Sequence, residues 1–250
     1  MRAAAALFLL LGACVRTPEV PIFLFHSVGE ESGDPRDVSN EEFEEELTLL
    51  EQFHATPVTL QQLFDAREKG TPLPKRAVVL TFDDGRAGLF AHAYPALQKH
   101  HAVAELFVVT DWVSNSAESR KRFKDETGEF PVMTWSELAE LAQSGVMKIE
   151  SHSVTHARMA GLDSKHQLEE LTRSREVLRE RLKVPCDFFA YPAGSLAGDT
   201  KDLAKQAGYR GALAVEAHGG GPYGLTRISV WRASVPVVRK ALVGAFGEPK

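Results

Sequence analysis

Cysteine is nearly absent: Cys14 and Cys186 are the only two in 250 residues. At most one intramolecular disulfide is possible, which excludes a fold stapled by disulfides. Basic runs are missing too. With a formal net charge of -5 and no Lys/Arg stretch of the length a phosphate backbone attracts, nucleic acid is an unsuitable partner. No apolar run is long enough to span a bilayer as a mature helix. Internal repeats, low-complexity tracts and long Pro/Gly-rich linkers are also lacking, so nothing divides the chain after its first residues. With 44% hydrophobic and 25% charged residues, the remainder has the composition of an ordinary globular domain.

The first twenty residues differ from the rest. Met1 and Arg2 form a short positive start, Ala3 to Leu11 are all apolar, and Leu11-Gly12-Ala13-Cys14 follows. The pattern is that of a secretion signal, and its last four residues resemble the lipobox of bacterial lipoproteins. Residues 1–13 are therefore expected to be a signal peptide, Cys14 the lipidated mature N-terminus and 14–20 a tether. Lipid chains there would hold the protein in the cell envelope, in the periplasm or at the outer membrane of a Gram-negative host. Val15, which is not aspartate, favours the outer membrane. Cys186, left without a partner in an apolar stretch before Phe188 and Phe189, is expected to be buried and inert.

From residue 21 to 250 apolar runs and helical patterns alternate. Strands are expected at Ile22 to Phe25, Ala77 to Phe82, Leu106 to Val109, Val146 to Glu150, Phe188 to Tyr191, Gly211 to Val215 and Thr226 to Val230. Capping boxes at Ser39-Asn40-Glu41-Glu42 and Thr134-Trp135-Ser136-Glu137 open helices, the second stopping at Gly145. Further helices are expected over Thr59 to Lys69, Leu89 to His100, Asp163 to Leu182 and Thr200 to Ala207. This βα alternation predicts one domain, a single distorted (β/α) barrel of six to eight mainly parallel strands, with active residues at the strands' carboxyl ends.

The polar residues after those strands are His26, Asp83, Asp84, Asp111, His152, His156 and the stretch from Tyr191 to Gly194. Two carboxylates and three histidines at one mouth suit a mononuclear metal hydrolase, since imidazole and carboxylate bind zinc and an open position holds water. His152 and His156, four apart, would lie on one side of a helical turn; the same spacing also arises on solvated helix faces. Adjacent carboxylates repel, and the repulsion is offset if one binds a cation while the other acts as a base. The alternative is a solvated Asp-Asp-Gly turn. Trp112, Tyr191 and Trp135 offer aromatic faces near the strand ends, with Asp111 and Trp112 as candidate groove wall and Trp135 equally suited to ordinary packing.

Thr81-Phe82-Asp83-Asp84-Gly85, Ser151-His152-Ser153-Val154-Thr155-His156 and Phe189-Ala190-Tyr191-Pro192-Ala193-Gly194 resemble, in order and spacing, the first three motifs of the polysaccharide deacetylases, carbohydrate esterase family four. Phe25-His26-Ser27-Val28 resembles the early Tyr-His motif of the poly-N-acetylglucosamine deacetylase branch. The resemblance implies Asp83 as general base, Asp84, His152 and His156 as ligands of one divalent metal, zinc foremost with cobalt or nickel as alternatives, and His26 as general acid. It implies that Tyr191 and Pro192 line the groove and that the Ala193 N–H holds the oxyanion. Many relatives have tyrosine in place of Ala193. Where relatives outside the branch have an arginine orienting the base, this chain has Phe188 and Phe189, which leaves that role unassigned.

The function implied is hydrolysis of a carbon–nitrogen bond other than a peptide bond: removal of N-acetyl groups from N-acetylglucosamine-containing bacterial polysaccharide, releasing acetate, by a monomeric, lipid-anchored enzyme. An O-acetyl esterase of the xylan type and a non-catalytic glycan-binding lipoprotein are the alternatives.

Overall fold

Every residue of β5 (Ala77–Phe82) is buried, as a strand covered on both faces requires. The computed structural model describes residues 20–249 apart from 32, 126, 127, 217 and 218. The expected signal peptide and Cys14 lie outside the described residues.

Around β5 stand β1 (Ile22–Phe25), the short β2 (Ser27–Val28) and β3 (Asp37–Val38), α1 (Asn40–Gln52), β4 (Thr56–Pro57) and α2 (Leu60–Lys69). Then come a π-helical turn at Leu89–Ala93 leading into α3 (Tyr94–Lys99), β6 (Ala104–Val108), the hairpin β7 (Arg122–Asp125) and β8 (Gly128–Pro131), α4 (Trp135–Ser144) and β9 (Met147–Ser151). The chain continues with α5 (Ser164–Leu182), β10 (Phe188–Ala190), α6 (Thr200–Gln206), β11 (Gly211–Ala214), β12 (Leu225–Thr226), β13 (Ile228–Ser229) and α7 (Val235–Phe246).

Eight strands pair in the order β12-β11-β10-β9-β6-β5-β1-β13, all parallel, with β4 added beside β5. The end strands β12 and β13 are separated by one residue, Arg227, so the sheet rolls into a nearly closed barrel. This is the (β/α) barrel expected from the alternation of elements. The stretch expected as one strand over Thr226 to Val230 instead supplies both edges of the sheet.

Ile22, Val79, Phe107, Phe188, Ala190, Leu213 and Leu225 cluster in the barrel lumen, closed at one end by Leu60, Leu63 and Phe64 of α2. The alternate strand residues, among them Phe23, Phe25, Leu80, Phe82, Leu106 and Ile149, pack beneath the outer helices. Strand period two carries the lumen-facing set onward from Val79 to Asp83, from Ile22 to His26, from Glu150 to His152 and from Leu225 to Arg227. Four elements thus aim one side chain each at the same mouth, the carboxyl end of the barrel.

Helix ends follow local chemistry. Ser39, Thr59 and Thr134 make complete capping boxes, with Glu42, Gln62 and Glu137 as their reciprocal partners. Gly70 and Gly145 end α2 and α4 in the left-handed conformation. Cys186 is buried, as expected, and burial lifts its thiol pKa well above the ordinary value. Among the described residues no helix is long and apolar enough to cross a membrane.

Candidate active site

After Phe82 the Asp83 N–H bonds the Phe25 carbonyl at 3.0 Å, and the chain then turns sharply, with Gly85 N–H on Asp83 O at 3.0 Å. The turn needs left-handed backbone at Asp84 (φ 74°) and at Gly85 (φ 79°). A side chain at Gly85 would meet only Val108 at ordinary contact distance, so backbone conformation, not space, calls for glycine. Ser153 (φ 72°) and His156 (φ 65°) are left-handed as well. Strained non-glycine backbone gathers at this mouth, the pattern of a site whose geometry is over-determined by its surroundings.

His152 and His156 are not on a helix, contrary to the expectation from their spacing. They flank a loop whose shape comes from the Glu170 carboxylate, which accepts Val154 N–H and Thr155 N–H at 2.9 Å each, and from Ser153 Oγ, which accepts His156 N–H at 2.9 Å. With those backbone donors satisfied by side chains, the segment has no need of a helical turn. The imidazoles still converge, with ring centroids 4.9 Å apart.

His152 Nδ1 lies 2.8 Å from the Ala190 carbonyl, which accepts its proton and leaves the Nε2 lone pair facing the carboxylates. Asp84 Oδ1 is 3.7 Å from His152 Nε2 and 3.6 Å from His156 Nε2. These gaps are too wide for hydrogen bonds, yet they suit ligands of one ion, since two zinc ligands at a tetrahedral angle stand roughly 3.4 Å apart. Ligand atoms of Asp84, His152 and His156 all lie within 4.8 Å of one another. One carboxylate and two imidazoles, with the outer ring nitrogen of His152 already engaged, make a donor set that fits zinc.

Asp83 is held differently. Arg227 clamps it with two parallel bonds, Nη1 to Oδ1 and Nη2 to Oδ2, both at 2.7 Å. The guanidinium, fully enclosed, lies above the Phe107 ring in the lumen. An arginine that the stretch at Phe188 and Phe189 lacks is thus present beside Asp83, from the junction of β12 and β13. Sequence reasoning missed it, although a lone arginine within the strand-like segment from Leu225 to Val230 was the available signal. Burial alone would raise the Asp83 pKa, but the charges of Arg227, His152 and His26 outweigh it and hold the carboxyl below the ordinary range. Asp84 is likewise buried, yet His26, His156, Arg86 and His152 bring its pKa down.

His26 stands half-buried at the end of β1 with Nδ1 enclosed and, among the described residues, without a hydrogen-bond partner. Burial, only partly opposed by Asp84 and Asp83, lowers its pKa to about 4, so the imidazole is neutral at pH 7. Trp112 forms wall beside the site, 5.0 Å from the His156 ring and stacked at 4.6 Å on Phe123 of the hairpin. Asp111 is exposed next to it, and Ala193 sits exposed in a left-handed turn after β10. Tyr191 differs from the expectation of a groove-lining residue. It is 0% exposed, packs on Phe189 and donates its hydroxyl proton to the Tyr223 carbonyl, so it offers no face to a sugar. Pro192 is buried beside it. Trp135 lies under the Arg181 guanidinium, 4.6 Å from it.

Residues 70–212 match the family described as polysaccharide deacetylase. The poly-beta-1,6-N-acetyl-D-glucosamine N-deacetylase of Escherichia coli (strain K12) is 26% identical over 215 residues, covering 74% of this chain and 32% of that protein. The chain therefore spans about a third of that relative's length. The structure of IcaB from Ammonifex degensii superposes with a TM-score of 0.77 at 24% identity, covering 90% of this chain and 97% of that one. The Streptococcus pyogenes deacetylase PplD, in complex with acetate, gives a TM-score of 0.76 at 20% identity over 92% of this chain and 99% of its own. At such identities the likeness speaks for a shared fold. The family match, by contrast, takes in more than half of the chain and runs through every strand from β5 to β10, and on that ground this chain belongs to the polysaccharide deacetylase family.

Proposed function

We propose that the chain is a metal-dependent hydrolase that removes N-acetyl groups from N-acetylglucosamine-containing polysaccharide of the bacterial cell envelope, releasing acetate. The observation that carries this reading is the pairing of an ionised, Arg227-clamped Asp83 with the Asp84, His152 and His156 donor set, the Asp83 Oδ2 lying 3.7 Å from His152 Nε2. The relatives' names supply the substrate class.

A divalent ion held by Asp84, His152 and His156, zinc by its donor set, would polarise the acetyl carbonyl and make bound water acidic. Asp83 accepts the proton of the attacking water; Arg227 occupies one direction at each of its oxygens and leaves other lone pairs free. The Ala193 N–H, at the rim after β10, is our choice of donor for the negative charge developing on the acetyl oxygen. His26 is our choice for protonating the departing amine. Because its imidazole is neutral at pH 7, the proton it hands on is the one Asp83 takes from the attacking water, passed from the Asp83 carboxyl to the imidazole so that Asp83 returns to its carboxylate. Trp112 is the remaining candidate for a sugar-facing wall. Leu11-Gly12-Ala13-Cys14 supports a lipid anchor at Cys14 and residence in the envelope, and Cys14→Ser should release the protein from the membrane fraction.

The test is acetate release from N-acetylglucosamine oligomers by the chelator-treated chain, with and without added zinc. Zinc-dependent release is expected, and Asp83→Asn should lower the rate roughly thousandfold. Release from acetylated xylan alone would replace this reading with an O-acetyl esterase, and binding of oligomers without turnover would replace it with a binding protein.

A further inference from the structure

Arg86 follows the Asp83-Asp84-Gly85 turn, and its side chain is 0% exposed. A guanidinium stripped of water is tolerated only where its partners are well placed. Nη1 donates to Asp34 Oδ2 at 2.7 Å, Nε reaches Asp84 Oδ2 at 3.4 Å, and Cζ lies 3.9 Å from the centre of the Phe130 ring. Asp34, itself 1% exposed, also receives Nε and Nη2 of Arg36 at 3.1 and 2.8 Å. The hairpin closes over the arginine, with Arg86 bridged to Val132 and Met133 N–H on the Gly85 carbonyl at 2.9 Å.

The two oxygens of Asp84 consequently face different neighbours. Oδ1 looks toward His152 and His156, and Oδ2 looks toward Arg86. Arg86 is fully enclosed and so does not touch substrate. Its closest partner is Asp34, a carboxylate it shares with Arg36, and its longer contact to Asp84 is directed at Oδ2.

We propose that Arg86, anchored by Asp34, is a positioning residue for the metal ligand Asp84: by engaging Oδ2 it leaves Oδ1 alone to face the ion. The inference rests on the reading of Asp84, His152 and His156 as the metal site. It connects the loop after β2, which carries Asp34, to the ligand turn, so that two segments about fifty residues apart set one carboxylate's orientation.

The test measures zinc affinity directly, by competition with a chromophoric chelator at pH 7, on the chelator-stripped full chain, with thermal melting of each metal-free protein alongside. The informative variant is the double substitution Asp34→Asn with Arg86→Gln, which removes one positive and one negative charge together and leaves the net charge beside the site unchanged. At least tenfold weaker zinc binding is expected, with an altered visible spectrum of the cobalt-loaded protein, and Arg86→Lys should retain part of the affinity. Zinc affinity within twofold of wild type together with an unchanged cobalt spectrum would overturn the proposal, whatever happens to the melting temperature. Should the double variant fail to fold, Arg86→Lys, which keeps the charge but not the planar fork, decides instead: an affinity within twofold of wild type with an unchanged cobalt spectrum would again overturn the proposal. A wild-type chain that takes up no zinc would overturn the metal reading itself, and the positioning role with it.

Discussion

Asp83 and Arg227 show at the scale of single residues what a buried ion pair does for chemistry. Burial pushes Asp83 toward its protonated form, and the guanidinium is the first of the charges that reverse that tendency. Arg227→Gln should therefore raise the Asp83 pKa and move the acid limb of the kcat/KM profile to higher pH, with kcat falling roughly ten- to hundredfold. A pH–rate profile over pH 4 to 8 checks this, and a limb that stays in place would mean that Arg227 does not set the ionisation of Asp83. Asp83, Asp84, His152 and His156 were legible in the sequence because each motif is a short contiguous segment. Arg227 was not, because its partner is 144 positions away and the two meet only when the barrel closes. The expectation for His152 and His156 had the right residues on the wrong backbone: i,i+4 spacing describes proximity on a helix, whereas here Glu170 and Ser153 shape a loop to the same end.

At the scale of elements, α1 contains a feature at odds with its apolar face. Glu46 is 2% exposed, neither carboxylate oxygen has a partner among the described residues, and Phe23, Phe43, Leu47, Leu50, Leu80 and Val238 surround it. Burial, aided by Glu42 and Glu45, raises its pKa to about 8. An acid raised in the folded state contributes fully below its ordinary value near 4.5, and that contribution is lost as pH rises through about 8. The chain should lose on the order of 3 kcal/mol between pH 5 and pH 8 from this group, and Glu46→Met should be more stable at pH 8 and less pH-dependent. Glu105, raised by burial to about 8, acts in the same direction, so part of the slope should remain. Urea melts at the two pH values measure it; equal slopes in both proteins would show that Glu46 is not the source. Helix starts were legible in the chain because capping boxes are local chemistry. The β7–β8 hairpin was not, its first strand being the largely polar Arg-Phe-Lys-Asp. Nor was α7, where Gly244 and several valines weaken helical propensity and the buried pair Val238 and Leu242 provides the holding face.

For the whole molecule, the donor set joins the loops after β5 and β9, so a bound ion should stabilise the barrel as a unit. At a hundredfold excess of zinc over its dissociation constant the gain is about 2.7 kcal/mol, which for a domain of this size raises Tm by roughly 5 to 10 °C. Calorimetry with zinc, with chelator and with His152→Ala should show the rise only in the first case, and no rise with zinc would count against a metal centre. The sequence by itself determined the βα order, the helix caps and the identity of the base and ligand candidates, because periodicity, capping and short motifs are properties of neighbouring residues. Only the tertiary structure decided that Arg227 holds Asp83, that Tyr191 is enclosed and that Arg86 reaches from Asp34 to Asp84. Those relations depend on which strands become neighbours when a parallel sheet rolls up, and on how deeply each side chain is then covered; neither is encoded at any one stretch of the chain.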